Sequence, residues 1–84
     1  MQDYEYLFSK ELHSKLKEKI KGKVWVNIYQ DKLHVKITSQ DEVIKYELTE
    51  DNMSTKILNG LSTQYTVYCI LKDYSKCVNN KYFK

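Results

Sequence analysis

The sequence contains no proline, no alanine and no arginine, so all 14 of its basic residues are lysine. Without a guanidinium group, the chain cannot make the two-pronged hydrogen bonds that arginine makes to guanine, carboxylate or phosphate. A contact with an anion must therefore use a lysine ammonium, which is a point charge on a flexible stem. The bias towards lysine, asparagine, tyrosine and isoleucine indicates an AT-rich genome.

Glycine and cysteine are scarce, with two residues of each. We expect Gly22 and Gly60 to end helices, which leaves no glycine-rich loop to hold a phosphate. Cys69 and Cys77 fall in one predicted helix, about 12 Å apart along its axis, and this distance is too long for a disulfide. Both cysteines are therefore predicted to be reduced.

Long apolar runs are also missing. The longest uncharged apolar stretch lies around residues 65–71 and has about nine residues, whereas a membrane-spanning helix needs about 18–20. The start of the chain lacks the basic and then apolar layout of a signal peptide. With 84 residues, 42% apolar and 30% charged, the sequence predicts one domain over residues 1–84, with a cytoplasmic location and no membrane contact.

Hydrophobic periodicity predicts an α+β fold with the order αβββαα, in which helices pack on one face of a three-stranded antiparallel meander. Asp3 is expected to cap a first helix that runs to about Lys21. Period-two alternation follows from Val24 to Leu48. The core stripe of the first helix is predicted to contain Tyr4, Leu7, Phe8, Leu12, Leu16 and Ile20.

The strand register can be predicted if Gln30-Asp31 and Gln40-Asp41 each form a two-residue loop. Ile28 then lies opposite Leu33 and Ile37 opposite Ile44, so the apolar side chains of all three strands share one face. A slip of one residue would invert that face. On the other face, the same register predicts a row of Trp25, Lys36 and Lys45 and a next row of Asn27, His34 and Glu47.

The C-terminal third is predicted to contain two helices. A short helix from about Asp51 to Leu58 ends at Asn59-Gly60, and Ser62 caps a second helix that runs to about residue 80. A β-branched run leaves a fourth strand over residues 63–71 open as the alternative. The apolar face of the last helix is predicted to contain Val67, Ile70, Leu71, Tyr74, Cys77 and Val78.

No catalytic or metal-binding pattern is present, so we expect a non-enzymatic protein without cofactor or metal. His13 and His34 lie in different elements and have no cysteine or carboxylate at metal-ligand spacing. Ser62 is explained as a helix cap rather than as a nucleophile.

Two surfaces are candidates for binding. The strand face opposite the core combines large aromatic and cationic side chains, which suit a protein interface. Residues 10–23 hold six lysines and two glutamates, a local charge of +4 that would attract a phosphate backbone. The predicted protein-binding residues are Trp25, Tyr29, His34, Lys36 and Lys45, and the predicted nucleic-acid-binding residues are Lys10, Lys15, Lys17 and Lys21.

The C-terminal third contains the segments Gly60-Leu61-Ser62, Ile70-Leu71-Lys72-Asp73-Tyr74 and Asn79-Asn80-Lys81-Tyr82-Phe83-Lys84. With these segments, the chain resembles small proteins of phages and prophages from low-GC Gram-positive bacteria. The order of elements is also similar to that of one class of small type II anti-CRISPR protein. That class is strongly acidic and mimics DNA, whereas this chain carries +3, so the resemblance implies binding to a host macromolecule without the mimicry.

These observations predict a phage-type binding protein, an inhibitor of a host defence or nucleic-acid-processing complex, that acts by contact with a protein or nucleoprotein. The alternative is a non-specific nucleic-acid-binding protein that uses the lysines of the first helix. A homodimer through the open sheet face is a third hypothesis.

Overall fold

The computed structural model of the chain describes residues 3–82, with side chains described for residues 4–80. The order αβββαα is confirmed, and the three strands form one antiparallel sheet in the order β1-β2-β3. The Asp3 side chain and residues 83 and 84, which belong to the last segment that resembles phage proteins, lie outside this description. The elements are α1 (Asp3–Lys19), β1 (Gly22–Tyr29), β2 (Lys32–Ser39), β3 (Lys45–Asp51), α2 (Met53–Leu58) and α3 (Thr63–Tyr82).

The first hairpin has the predicted register, with Ile28 opposite Leu33 and Trp25 opposite Lys36. Gln30 and Asp31 have φ angles of 54° and 60°. Positive φ at both loop residues is what a type I′ turn requires, and this turn matches the right-handed twist of the two strands.

The predicted register of the second hairpin is wrong by two residues, because Ile37 lies opposite Tyr46 and not opposite Ile44. The loop is longer than two residues, and a side chain shapes it. The Asp41 carboxylate accepts hydrogen bonds from Ser39 Oγ (2.6 Å) and from the Val43 amide (3.1 Å). Since a shift of two residues keeps the parity, the apolar side chains still share one face.

The core lies between this face and the helices. Leu12 and Leu16 of α1 are fully buried, and α1 packs against β1 and α3. Tyr4 and Leu7 were predicted to lie in the core, but both are exposed. Leu7 lies on the side of α1 opposite Leu16, and Tyr4 lies in the first turn of α1, before the buried stripe begins at Phe8. The buried hydrophobic residues are Phe8, Leu12, Leu16, Ile20, Leu33, Val35, Ile37, Ile44, Tyr46, Met53, Val67 and Ile70.

The C-terminal third is helical, so the alternative of a fourth strand over residues 63–71 is wrong. Ser62 caps α3 as predicted: its Oγ accepts a hydrogen bond from the Tyr65 amide at 3.5 Å, and its carbonyl oxygen accepts one from the Thr66 amide at 3.0 Å. Gly60 ends α2 as predicted, with φ of 86°, and its amide donates to the Ile57 carbonyl. Cys69 and Cys77 are both free.

Gly22 has a different function from the one predicted. The first helix ends at Lys19, and Gly22 is the first residue of β1, with φ of +142°. A Cβ atom at this position would overlap the carbonyl oxygen of Thr38 on the neighbouring strand. Only glycine fits here, both for its backbone angle and for the close approach of β2.

The first turn of α2 is capped from a distant part of the chain. Its start at Asp51 was wrongly predicted, because β3 continues to Asp51 and Asn52 makes no side-chain cap. Instead, Asp31 in the β1–β2 turn accepts the Ser54 amide on its carboxylate (2.7 Å) and the Met53 amide on its carbonyl (3.0 Å). The hydrogen bond from the Ser54 amide lowers the pKa of Asp31 below its ordinary value of 3.8.

Leu12→Ala should destabilise the fold by about 2–5 kcal/mol, because it leaves a cavity in the core. Leu7→Ala is the matched control on the same helix, since Leu7 is 61% exposed, and it should change the free energy of unfolding by about 0.5 kcal/mol or less. Urea unfolding followed by circular dichroism measures both. Equal losses from the two substitutions would contradict the assignment of the buried side of α1.

Asp31→Ala should lower stability near neutral pH, because the ionised carboxylate that caps α2 is lost. Since the pKa of Asp31 is lower in the folded chain, this stabilisation is full above the unfolded value of 3.8 and is lost as the pH falls through the folded value. The difference between the native chain and Asp31→Ala should therefore narrow in acid. Urea midpoints across a pH series measure it, and a difference independent of pH would contradict the cap.

Candidate functional site

The face of the sheet opposite the core is open, because the described helices pack on the core side. Trp25 is 42% exposed and Tyr29 is 46% exposed. We call this surface the outer sheet face. Its side chains, in the observed register, are Lys23, Trp25, Asn27 and Tyr29 of β1, Lys32, His34, Lys36 and Thr38 of β2, and Lys45, Glu47, Thr49 and Asp51 of β3.

A cation–π pair lies at the centre of the outer sheet face. Trp25 and Lys36 are directly opposite each other, and Lys36 Nζ lies 5.2 Å from the centroid of the indole ring. Such a pair contributes about 0.5–1 kcal/mol at an exposed site. Glu47 is the other neighbour of Lys36 in this row, and no ion pair between them is present among the described side chains. The ammonium thus lies over one face of the indole, and both side chains are exposed.

A second aromatic pair lies towards the β1–β2 turn. The rings of Tyr29 and His34 stack with their centroids 4.1 Å apart and their planes 13° apart. His34 Nε2 is buried beneath this stack and makes no hydrogen bond with any described residue. An unpaired buried nitrogen is unfavourable, so the stacked ring is kept at some energetic cost.

Lys45 does not lie in the row where the sequence placed it. It is opposite Thr38 rather than Lys36, since the second hairpin has the longer loop. Lys36 and Lys45 are therefore not directly opposite each other, and Glu47 takes the predicted place of Lys45. All five predicted protein-binding residues nevertheless share the outer sheet face, because the shift kept their parity. The face has two contacting pairs, Trp25–Lys36 and Tyr29–His34, with Lys45 on the edge strand.

Further charges on this face were not selected from the sequence. Lys32 lies 3.8 Å from Asp51, and Lys23 lies 3.4 Å from Glu42 in the second loop. Strand alternation alone places Lys23 and Lys32 on the same face as Trp25, so these two lysines could have been selected from the sequence. The partner Asp51 could be found only with the correct second register. Cations and carboxylates are therefore interleaved across the surface.

The four lysines predicted to bind nucleic acid do not form one surface. Lys10 and Lys17 lie on one side of α1, whereas Lys15 is half-buried and Lys21 follows the end of the helix. Lys17 Nζ donates to the Gly22 carbonyl at 2.7 Å, and Lys10 Nζ lies 5.8 Å from the Tyr6 ring. Part of this charge is thus engaged within the chain.

The described residues include no group of three histidine, cysteine or carboxylate side chains that could hold a metal ion. The largest pKa shift has a structural origin: burial first, and then the neighbouring Asp73 carboxylate, raise the pKa of Tyr46 to about 12. The Tyr46 hydroxyl donates to Asp73 at 3.5 Å. None of the helices in the described part of the chain has the length and apolar character needed to cross a membrane.

Comparison with models of protein families, with curated proteins and with solved structures found no match, so the functional argument depends on the geometry of the chain itself.

The Tyr29–His34 stack should control the reactivity of His34. Diethylpyrocarbonate should modify His34 more slowly than the exposed His13, because Nε2 of His34 is buried. Tyr29→Ala should raise the rate at His34 several-fold and leave His13 unchanged. Mass spectrometry of peptides measures both rates. Tyr68→Ala, which removes an exposed tyrosine of α3, is the control. Equal rates at the two histidines of the native chain would contradict the stacked geometry.

Proposed function

We propose that this chain is a non-enzymatic binding module that contacts a protein through its outer sheet face. The observation that carries the proposal is the exposed Trp25, held against Lys36 on a sheet face that no described helix covers. Tryptophan and tyrosine are enriched among interface residues that dominate binding energy, because they bury a large area with few rotatable bonds.

The charges of the outer sheet face favour a protein partner over a nucleic acid. Glu47 and Asp51 lie in the same rows as Lys36 and Lys32, and each carboxylate would repel a phosphate backbone. The lysines outnumber the acids on this face, so an acidic protein surface with a few basic side chains is the complementary partner.

The resemblance to phage proteins extends this proposal. A phage-type binding module in a bacterial cytoplasm would act as an inhibitor of a host defence or nucleic-acid-processing complex. The helix, meander and two-helix order supports the likeness to a small anti-CRISPR protein. With a charge of +3, this chain would dock on an acidic protein surface of such a complex rather than replace its DNA.

Binding of nucleic acid through α1 is the alternative. The lysines of α1 are dispersed, and the Lys17 ammonium already contacts a carbonyl of the chain. The geometry therefore gives this function less support. The two hypotheses predict different effects of substitutions on binding.

The test is capture of a partner from a low-GC Gram-positive lysate with and without nuclease, followed by binding measurements with the purified partner. Trp25→Ala should weaken the complex by about 2 kcal/mol or more, as expected for a central interface tryptophan. Tyr68→Ala is the matched control, because Tyr68 is an exposed aromatic residue of α3 away from the sheet, and it should leave the affinity unchanged.

The alternative function predicts a different result in the same experiment. Recovery of nucleic acid alone, lost after nuclease treatment and at moderate salt, would overturn the proposal. In that case, the double substitution of Lys15 and Lys17 by glutamate should abolish binding, whereas Trp25→Ala should weaken it only slightly.

A further inference from the structure

The two edges of the sheet differ in how their backbone groups are used. At the β1 edge, α1 supplies partners: Lys17 Nζ donates to the Gly22 carbonyl (2.7 Å) and His13 Nε2 donates to the Val24 carbonyl (3.0 Å). A helix that covers an edge in this way hinders pairing with another strand. The β1 edge is therefore protected at its beginning.

No helix of the described residues bonds to the β3 edge in this way. The Ser39 amide donates to the Ile44 carbonyl, so the even-numbered residues of β3 pair with β2 and the odd-numbered residues direct their amides and carbonyls outward. No described residue bonds to these outward groups of Lys45, Glu47, Thr49 or Asp51. Seven residues of regular strand are thus available for pairing.

We propose that a second copy of this chain pairs with the β3 edge, antiparallel and about a two-fold axis at Leu48, to give a continuous six-stranded sheet. In this register Lys45 lies opposite Asp51 of the second copy, Glu47 lies opposite Thr49, and Leu48 lies opposite Leu48. Every outward backbone group from Lys45 to Asp51 then gains a hydrogen-bond partner.

In this register the charges of the two β3 strands are complementary. In the two registers whose axis is shifted by one residue, they are not. Lys45 makes no ion pair with any described residue, and the Asp51 carboxylate is 67% exposed beside Lys32. The two-fold axis joins Lys45 and Asp51 twice. Moving the axis by one residue places Glu47 opposite Asp51 or opposite Glu47 of the second copy, and opposed like charges are unfavourable. An axis at Tyr46 would also oppose Lys45 and Glu47, but it would pair only residues 45–47 of each strand. The length of the paired strand and its charges together therefore favour the axis at Leu48.

The core side of β3 also fits this arrangement. Leu48 is half-buried and lines a groove of about 210 Å³ between β3 and α3, together with Met53, Leu61 and Ile70. The paired strand would bring Leu48 of the second copy beside this open groove. Trp25 lies on β1, at the opposite edge of the sheet, so the dimer leaves it exposed and is independent of the proposed function.

Sedimentation equilibrium of the full chain, from about 10 μM to about 500 μM, tests the proposal, because a dimer must depend on concentration. The native chain should show a dimer. Lys45→Asp should weaken dimerisation by at least about tenfold, since it opposes two carboxylates at each end of the paired strands. The double variant K45D/D51K should restore the dimer, because it exchanges the two charges across the axis.

Lys19→Asp on α1 is the control for the change in net charge, and it should leave dimerisation unchanged. Circular dichroism confirms that each variant is folded. A chain that stays monomeric over the whole concentration range would overturn the proposal. So would a dimer that Lys45→Asp does not weaken, or one that is lost in Trp25→Lys, since that dimer would use the outer sheet face instead.

Discussion

One-sided burial of a three-stranded sheet is the constraint on which the rest of this structure depends. Alternate residues of the strands point to opposite faces, and α1 and α3 bury only one of them. A short chain has few helices with which to cover a second face. The outer sheet face is therefore left to contact solvent or a partner, and its exposed aromatic and lysine side chains are chemically suited to a partner.

Long-range polar contacts hold the elements in this arrangement. Asp31 joins the first turn of the meander to the start of α2, and Ser54 also donates to Glu5 of α1. Lys17 joins the end of α1 to the first residue of β1. Each of these hydrogen bonds joins two different elements of the fold. Charged residues such as Asp31 and Lys17 therefore connect elements of the fold, although the sequence pattern alone does not distinguish them from other surface charges.

The order of elements, the first hairpin and most of the core could be predicted, because hydrophobic period and turn length determine them. The register of the second hairpin could not, since it depends on the Asp41 side chain and on a loop longer than two residues. The prediction that Gly22 ends α1 was wrong for a related reason. The close approach of Gly22 to Thr38 exists only in the folded sheet. The side chains that share the outer sheet face could be predicted because a two-residue error preserves parity. Within its rows, the β1–β2 pairs Trp25–Lys36 and Asn27–His34 were predicted correctly, whereas the β3 residue of each row was wrong.

Fluorescence quenching of Trp25 by acrylamide tests the central claim most directly, because Trp25 is the only tryptophan in the chain. We expect efficient quenching of the isolated protein, at every concentration at which it dimerises, and protection of Trp25 when the captured partner is bound. A tryptophan that is shielded in the dilute isolated chain, or one that stays equally accessible in the complex, would contradict the outer sheet face as the binding surface.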